Sequence, residues 1–429
     1  MIFKRPRKKV LVIGLDGVSY SLIHKLAQQD ILARTARWLR AGHLYPMKAS
    51  LPEISAVSWT DFMTGVDSGS HGIFGFTDLK PGTYEIRFPN FFDIKAQTIW
   101  ERLGQQGKKS IVINQPATYP AKPLRGVLIS GFVAIDLARA VYPPQELKRL
   151  KEIDYVIDVD TAAARSDHRV LWSDLEKTLA SRFKAIELYW PEDWNYFELV
   201  ITGTDRLHHY LWKAGENPSH PEHKAFLDYY RSLDKLIDLI ISRFEALTGS
   251  LDNLFLLSDH GFASLEKEVY LNAWLKEQGL LSFSRPDPQG LSDIDENSVA
   301  FALDPNRIYL NLRQKFPRGK IDRNERERWL EKIRKALLEL TSNGKKVISH
   351  VLAAEEIYHG QFVSCGPDLV AISYPGFDLK GSVKKKETFF ASDLEGMHTW
   401  RDAFFWTTSR LSSDLKITDC QRIILERYK

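Results

Sequence analysis

Three short apolar runs in this chain end in aspartate: VLVIGLDG reaches Asp16, LVITGTD reaches Asp205, and NLFLLSDHG reaches Asp259 followed by His260. Each run is continuous in Val, Ile, Leu and Phe rather than alternating with polar residues. Strands covered by helices on both faces read this way, as in parallel sheets. In open α/β sheets, ligand sites form outside the carboxyl ends of the strands. Three such strands therefore aim three carboxylates at one edge. A lone strand-end aspartate is commonly a helix cap or turn former. Three, two of them with histidine at +1 or +4, are not explained that way.

The rest of the chain fits the same architecture. Strands are expected over residues 10–15, 110–114, 126–130, 197–202, 253–257 and 368–373, and helices over 20–41, 98–106, 171–189 and 221–247. The last helix carries Phe226, Tyr229, Leu233, Leu236, Ile237 and Ile240 on one stripe. Alternating strands and helices imply an α/β fold with a mostly parallel, doubly wound sheet. Residues 143–169 show charged turns and little periodicity. A long excursion from 264 to 393 precedes the next histidine-bearing loop and includes an amphipathic helix over 324–341. It reads as an inserted cap on a core made of 1–263 and 394–429, with the stretch around 364–375 expected to rejoin the core sheet.

Composition narrows the chemistry. The 429 residues are 44% hydrophobic and 27% charged, ordinary values for a folded chain. The two cysteines, Cys365 and Cys420, cannot build a cysteine zinc site or a disulfide framework, so carboxylates and imidazoles must hold any metal. The formal charge of +4 and the scattered basic segments, RPRKK and Lys384–Lys386 among them, lack the aromatic-interleaved stripe of a nucleic-acid binder. The start MIFKRPRKK leads into an apolar run too short for a signal peptide, and no apolar stretch approaches a membrane span. A cytoplasmic location is expected. The sequence does not set the oligomeric state.

In TGTDRLHHYLW, Asp205 and His209 are four apart. On a helix starting just after the strand they share a face and can share a metal, while His208 points elsewhere. Asp259 and His260 sit together at a bend, and His398 in EGMHTWRD supplies a further imidazole. Mixed Asp/His ligation suits zinc, and also manganese or iron, and does not suit calcium. Between residues 50 and 76 lies a segment rich in hydroxyls and glycines, with Ser55 near a helix start and Thr64-Gly65 near its end. A helix start presents amide N–H groups and the positive dipole end to an anion. A serine hydroxyl needs a base or a metal to attack at neutral pH. The chain has no Gly-x-Ser-x-Gly elbow, so metal activation is the consistent route.

These motifs, in this order, resemble the type I phosphodiesterase/nucleotide pyrophosphatase branch of the alkaline phosphatase superfamily. The resemblance rests on Asp16, on Pro52 to Ser55 with Thr64-Gly65 and Ser70-His71-Gly72-Ile73, on Asp205 to His209, on Asp259-His260-Gly261, and on His398. It implies an alkaline-phosphatase-like fold and two divalent ions, zinc first and manganese second. One ion is then held by Asp205, His209 and His398. The other is held by Asp16, Asp259 and His260, with Ser55 as ligand or close neighbour and as nucleophile. The resemblance makes His71 structural and likens the stretch from Tyr270 through NRIYLNL to a prokaryotic cap. Family members commonly carry threonine where Ser55 stands, and a phosphate-binding asparagine near the place of Ser58, which is the expected substrate contact here. The implied activity is hydrolysis of a small phosphate ester through a phosphoryl-serine. A phosphotransferase or phosphomutase on the same scaffold is the alternative reading, and a non-catalytic binding protein that kept the fold is another.

Overall fold

The computed structural model describes residues 8–429, so the first seven residues, with most of the basic start, lie outside it. Nine strands form the central sheet, in the order Leu415–Lys416, His43–Lys48, Ala403–Thr407, Leu254–Leu257, Val10–Leu15, Tyr196–Ile201, Ser110–Gln115, Gly126–Ser130 and Val141–Tyr142. The five strands from Leu254–Leu257 to Gly126–Ser130 run parallel. The fold is α/β, as the continuous apolar runs imply. Side-chain alternation divides the core between the two faces. Leu11, Ile13 and Leu15 face the layer holding helices Tyr20–Gln28, His168–Tyr189 and His223–Thr248. Val10 and Val12 face the layer holding Ser55–Thr64, Ile99–Gln105 and Asp419–Glu426. No helix among the described residues is long and apolar enough to cross a membrane.

The helix expected over 20–41 is two helices, Tyr20–Gln28 and Ala33–Arg40. Asp30 adopts φ 56° and breaks the first. The second takes its cap from far away, where Asp234 accepts from the backbone N–H groups of Arg34 and Thr35 at 3.2 and 2.7 Å. The region over 143–169 holds helices Glu146–Glu152 and Thr161–Ser166. The expected strand at 368–373 forms as Leu369–Ser373, but it does not rejoin the central sheet. Both of its edges are taken, by Arg307–Leu310 and Ile348–Ala353. Asp368 locks that register by accepting from Leu310 N–H and from Arg326, each at 2.9 Å.

A ten-residue strand, Gly261–Tyr270, starts directly after His260 and leads away from the central sheet. It pairs antiparallel with Gly396–Thr399, setting Phe262 opposite His398. This pairing, across more than a hundred residues of intervening chain, returns the late histidine to the sheet edge.

Strand Tyr196–Ile201 also buries Glu198, which accepts from the Tyr196 hydroxyl. Burial pushes its carboxyl up to about 8, against the opposing hydrogen bond. An unfolded glutamate titrates near about 4.3. Between these values the folded state keeps a proton that the unfolded state has lost, so this group makes stability fall as pH rises. Glu198→Gln should remove that slope. In urea denaturation the variant should gain roughly 3–4 kcal/mol on wild type between pH 5 and pH 8. A difference independent of pH would show that Glu198 is ionised in the folded protein.

Candidate functional site

The three aspartates stand at the carboxyl ends of three adjacent parallel strands. Asp16 follows Val10–Leu15, Asp259 follows Leu254–Leu257, and Asp205 lies in the first turn of helix Gly203–Glu216. All three are buried. His260 Nε2 lies 3.6 Å from Asp16, 3.9 Å from Asp205 and 3.3 Å from Asp259. His209, one turn after Asp205, places Nε2 3.5 Å from Asp205 Oδ1. His398 Nε2 lies 3.2 Å from that oxygen and 3.1 Å from His209 Nε2.

The histidines share one orientation. Nδ1 of His398 is 2.9 Å from the Glu53 carbonyl, Nδ1 of His209 is 3.3 Å from that of Gly396, and Nδ1 of His260 is 3.1 Å from that of Gly261. A carbonyl only accepts, so each Nδ1 carries the proton and each Nε2 faces inward. This is how metal-binding histidines are oriented, with one ring N–H anchored and the other nitrogen free to ligate. One ligand atom from each of Asp205, His260 and His398 lies within 4.8 Å of the others, and the same holds for Asp16, Asp259 and His260. Ligands about 2.0–2.1 Å from a tetrahedral zinc stand about 3.3 Å apart, close to the separations seen. Asp259 Oδ2 is buried with no hydrogen-bond partner among the described residues. These residues fit two divalent ions.

The charges fit as well. Burial, with Asp259 and Asp205 adding to it, pushes the Asp16 carboxyl well above its ordinary range. Burial also brings Asp259 up to about 7, holds His209 down to about 4, and with His398 keeps His260 well below its ordinary value. For His398 burial works the other way, yet the hydrogen bond and charge of Asp205 lift it above the usual imidazole range. Buried carboxylates that would otherwise hold protons are the setting in which a cation displaces them.

Ser55 opens helix Ser55–Thr64, with Oγ 3.2 Å from both Asp16 Oδ1 and His260 Nε2. The helix ends at Thr64 as expected, and Gly65 takes the left-handed turn at φ 69°. Its first amides are not all available. Val57 and Ser58 N–H both donate to the Ile54 carbonyl, leaving those of Ser55 and Ala56 without a partner among the described residues. Ser58 does not join the other seven positions. It is fully buried, and its hydroxyl accepts from Ser50 N–H at 3.4 Å, because the helix turns that face toward the 50–52 loop. His71 is buried and hydrogen-bonded to Asp61 at 2.6 Å, and Asp61 also accepts from Ser50.

Several residues at the site carry no sequence signal of their own. Trp59 Nε1 donates to Asp16 Oδ2 at 2.9 Å, and only glycine at position 14 admits its ring, since a Cβ there would stand 2.5 Å from it. Gly17 N–H donates to Asp259 at 3.1 Å. Arg206 donates to Asp205 and is held by Asp158 on its far side. His208, held neutral at about 3 by burial, donates to the Gly17 carbonyl and accepts from Tyr230. A helix periodicity shows that His208 faces away from His209. What it meets there is set by the fold. A cavity of about 320 Å³ opens beside His398, with Glu53, His350 and Trp400 in its wall.

Residues 10–401 match the model of the family described as type I phosphodiesterase / nucleotide pyrophosphatase. No curated protein matches the chain. Among solved structures, phosphonoacetate hydrolase from Sinorhizobium meliloti 1021 in complex with phosphonoformate is similar at a TM-score of 0.62 and 16% identity, over 98% of this chain and 96% of that one. Murine ectonucleotide pyrophosphatase / phosphodiesterase 5 is similar at a TM-score of 0.56 and 12% identity, over 98% and 94%. At such identities the likeness is one of fold.

Trp59→Phe keeps a ring against Gly14 and removes the hydrogen bond to Asp16. Zinc affinity, measured by competition with a chelating dye, should fall about 10–100-fold while the far-UV spectrum is retained. Unaltered affinity would show that Trp59 does not orient a ligand.

Proposed function

Because the chain belongs to the type I phosphodiesterase/nucleotide pyrophosphatase family, we propose that it is a two-metal hydrolase of small phosphate esters with Ser55 as its nucleophile. The observation that carries this reading is the placement of Ser55 Oγ, 3.2 Å from Asp16 and from His260, at the mouth of a cluster of inward-facing acid and imidazole groups. Asp205, His209 and His398 would hold one ion, and Asp16, Asp259 and His260 the other. When bound, such a pair supplies Lewis-acid charge to the phosphoryl oxygens and lowers the pKa of an oxygen nucleophile.

The chain's own groups do the rest. Ser55 Oγ gives up its proton, for which Asp16 Oδ1 is the nearest carboxylate, and attacks phosphorus. The Oγ–P bond forms as the bond to the leaving alcohol oxygen breaks, and that oxygen takes up a proton. The amides of Ser55 and Ala56 point at the helix N-terminus, where they can donate to the non-bridging oxygens. Water then attacks phosphorus from the side of Asp205, His209 and His398; its oxygen bonds to phosphorus as the Oγ–P bond breaks, and the proton that water gives up restores the Oγ hydroxyl. Anchoring each imidazole through Nδ1 keeps this geometry in place throughout.

Ser55→Ala should lower turnover of a chromogenic phosphodiester by at least about 10³-fold. Wild-type turnover would remove Ser55 from the nucleophile's role. Exhaustive chelation should abolish activity, and added zinc or manganese should restore it. Full activity after chelation would overturn the two-metal reading.

A further inference from the structure

A second cavity, of about 630 Å³, lies along the same edge of the sheet as the aspartates. Its walls include Ala56 and Thr60 of the nucleophile's helix, Phe76 and Phe132, and Phe88 and Ile135. The loops after Ser110–Gln115 and Gly126–Ser130, the next two strands beyond Tyr196–Ile201, form its floor through residues such as Ala117 and Phe132. Two contacts tie one end to the candidate site. Ala56 follows Ser55 directly, and its amide, like that of Ser55, has no partner among the described residues. Phe132 lies 4.1 Å beneath the Arg206 guanidinium, which donates to Asp205. Phe76 and Phe132 meet edge to face at 5.4 Å.

The other end is open and apolar. Phe88 is 76% exposed and Ile135 86%. Val133, in the same lining, is also exposed, so three of the exposed large hydrophobic side chains among the described residues gather here. Contiguous exposed apolar surface of this kind marks a binding site. The polar side chains in the wall are few, Thr60, Asn90, Tyr119 and Arg139, and the buried Tyr119 hydroxyl has no hydrogen-bond partner among the described residues. Thr60 donates to the Ala56 carbonyl at 2.6 Å, and the Asn90 side-chain oxygen accepts from Phe92 N–H at 2.9 Å. Arg139 is the one charged side chain in the lining. These few groups leave most of a nucleobase's polar edge without partners, which costs free energy. A hydrocarbon chain incurs no such cost.

We propose that this groove holds an alkyl chain of the phosphate ester, so that the substrate class is a long-chain alkyl phosphate ester. The inference rests on the phosphoesterase reading and goes on to name what is attached to the phosphate.

The test is a series of p-nitrophenyl alkyl phosphodiesters, methyl to hexyl, given to the metal-loaded enzyme. Each methylene that enters the groove should raise kcat/KM about fourfold, the equivalent of about 0.8 kcal/mol, and the hexyl ester should exceed the methyl ester at least tenfold overall. Ile135→Glu and Val133→Glu, at exposed positions, should bring that ratio toward one. Leu247→Glu, exposed on a remote helix, should preserve it. Turnover of the methyl ester with no rise along the series overturns the groove and leaves the phosphoesterase reading intact. If no ester is turned over, calorimetry with hexylphosphonate and methylphosphonate decides the groove separately. Tighter binding of the hexyl compound that Ile135→Glu abolishes supports it, and equal binding overturns it.

Discussion

Three carboxylates taken out of water beside one another repel, and the molecule is built around that repulsion. Unit charges about 4 Å apart interact by about 4 kcal/mol at an effective dielectric near 20. Asp16, Asp205 and Asp259 all approach His260 Nε2 within 3.9 Å, so the imidazole stands at the centre of the conflict. Burial pushes Asp16 and Asp259 upward, while His209, His398 and Arg206 draw Asp205 well below its ordinary range against burial. A parallel sheet creates this arrangement as a matter of geometry, since adjacent strands deliver their end residues to one edge.

Much of the surrounding structure keeps those groups from relaxing apart. Trp59 pins Asp16, Gly17 pins Asp259, and Arg206 with Asp158 pins Asp205. His208 holds the Gly17 carbonyl, so the turn that orients Asp259 is itself hydrogen-bonded to the helix that carries Asp205 and His209. The smallest residue in the first strand, Gly14, decides whether the Trp59 ring can reach Asp16 at all. The site is therefore coupled to the packing between the sheet and helix Ser55–Thr64. The same helix sets two amides at its start and, through Ala56 and Thr60, one wall of the apolar groove. On the proposed reading, recognition of phosphate and of its organic group falls to neighbouring parts of a single element.

The chain's own order already contained the seven acid, imidazole and hydroxyl positions, because each lies beside a local signal: an apolar run, an i, i+4 spacing, or a helix start. It also contained the family, whose motifs span residues 10–401. Local signals stop where partners come from far away. Ser58 lies three residues from Ser55 and looked close enough to contact substrate, yet helix rotation turns it to Ser50. The strand Leu369–Ser373 was legible as a strand but not as a member of its sheet, since a strand's apolar pattern does not encode its neighbours. The strand His43–Lys48 carries little signal of its own, being interrupted by Pro46 and only partly buried, and the apolar run Ala403–Thr407 does not reveal that it pairs with it.

Sequence alone determined the sheet's parallel core and the acid, imidazole and hydroxyl positions that gather at its edge, because apolar runs and residue spacing are one-dimensional properties. Tertiary structure decided which imidazole nitrogen faces inward, since that follows from the carbonyls of Glu53, Gly396 and Gly261. It decided that His398 reaches the site, through the pairing of Gly261–Tyr270 with Gly396–Thr399. It decided which amides at the start of helix Ser55–Thr64 lack a partner among the described residues, and where apolar side chains such as Phe88, Phe132, Val133 and Ile135 gather into a groove. Each of these depends on a hydrogen bond or contact between residues distant in the chain, and no local pattern of residues carries that information.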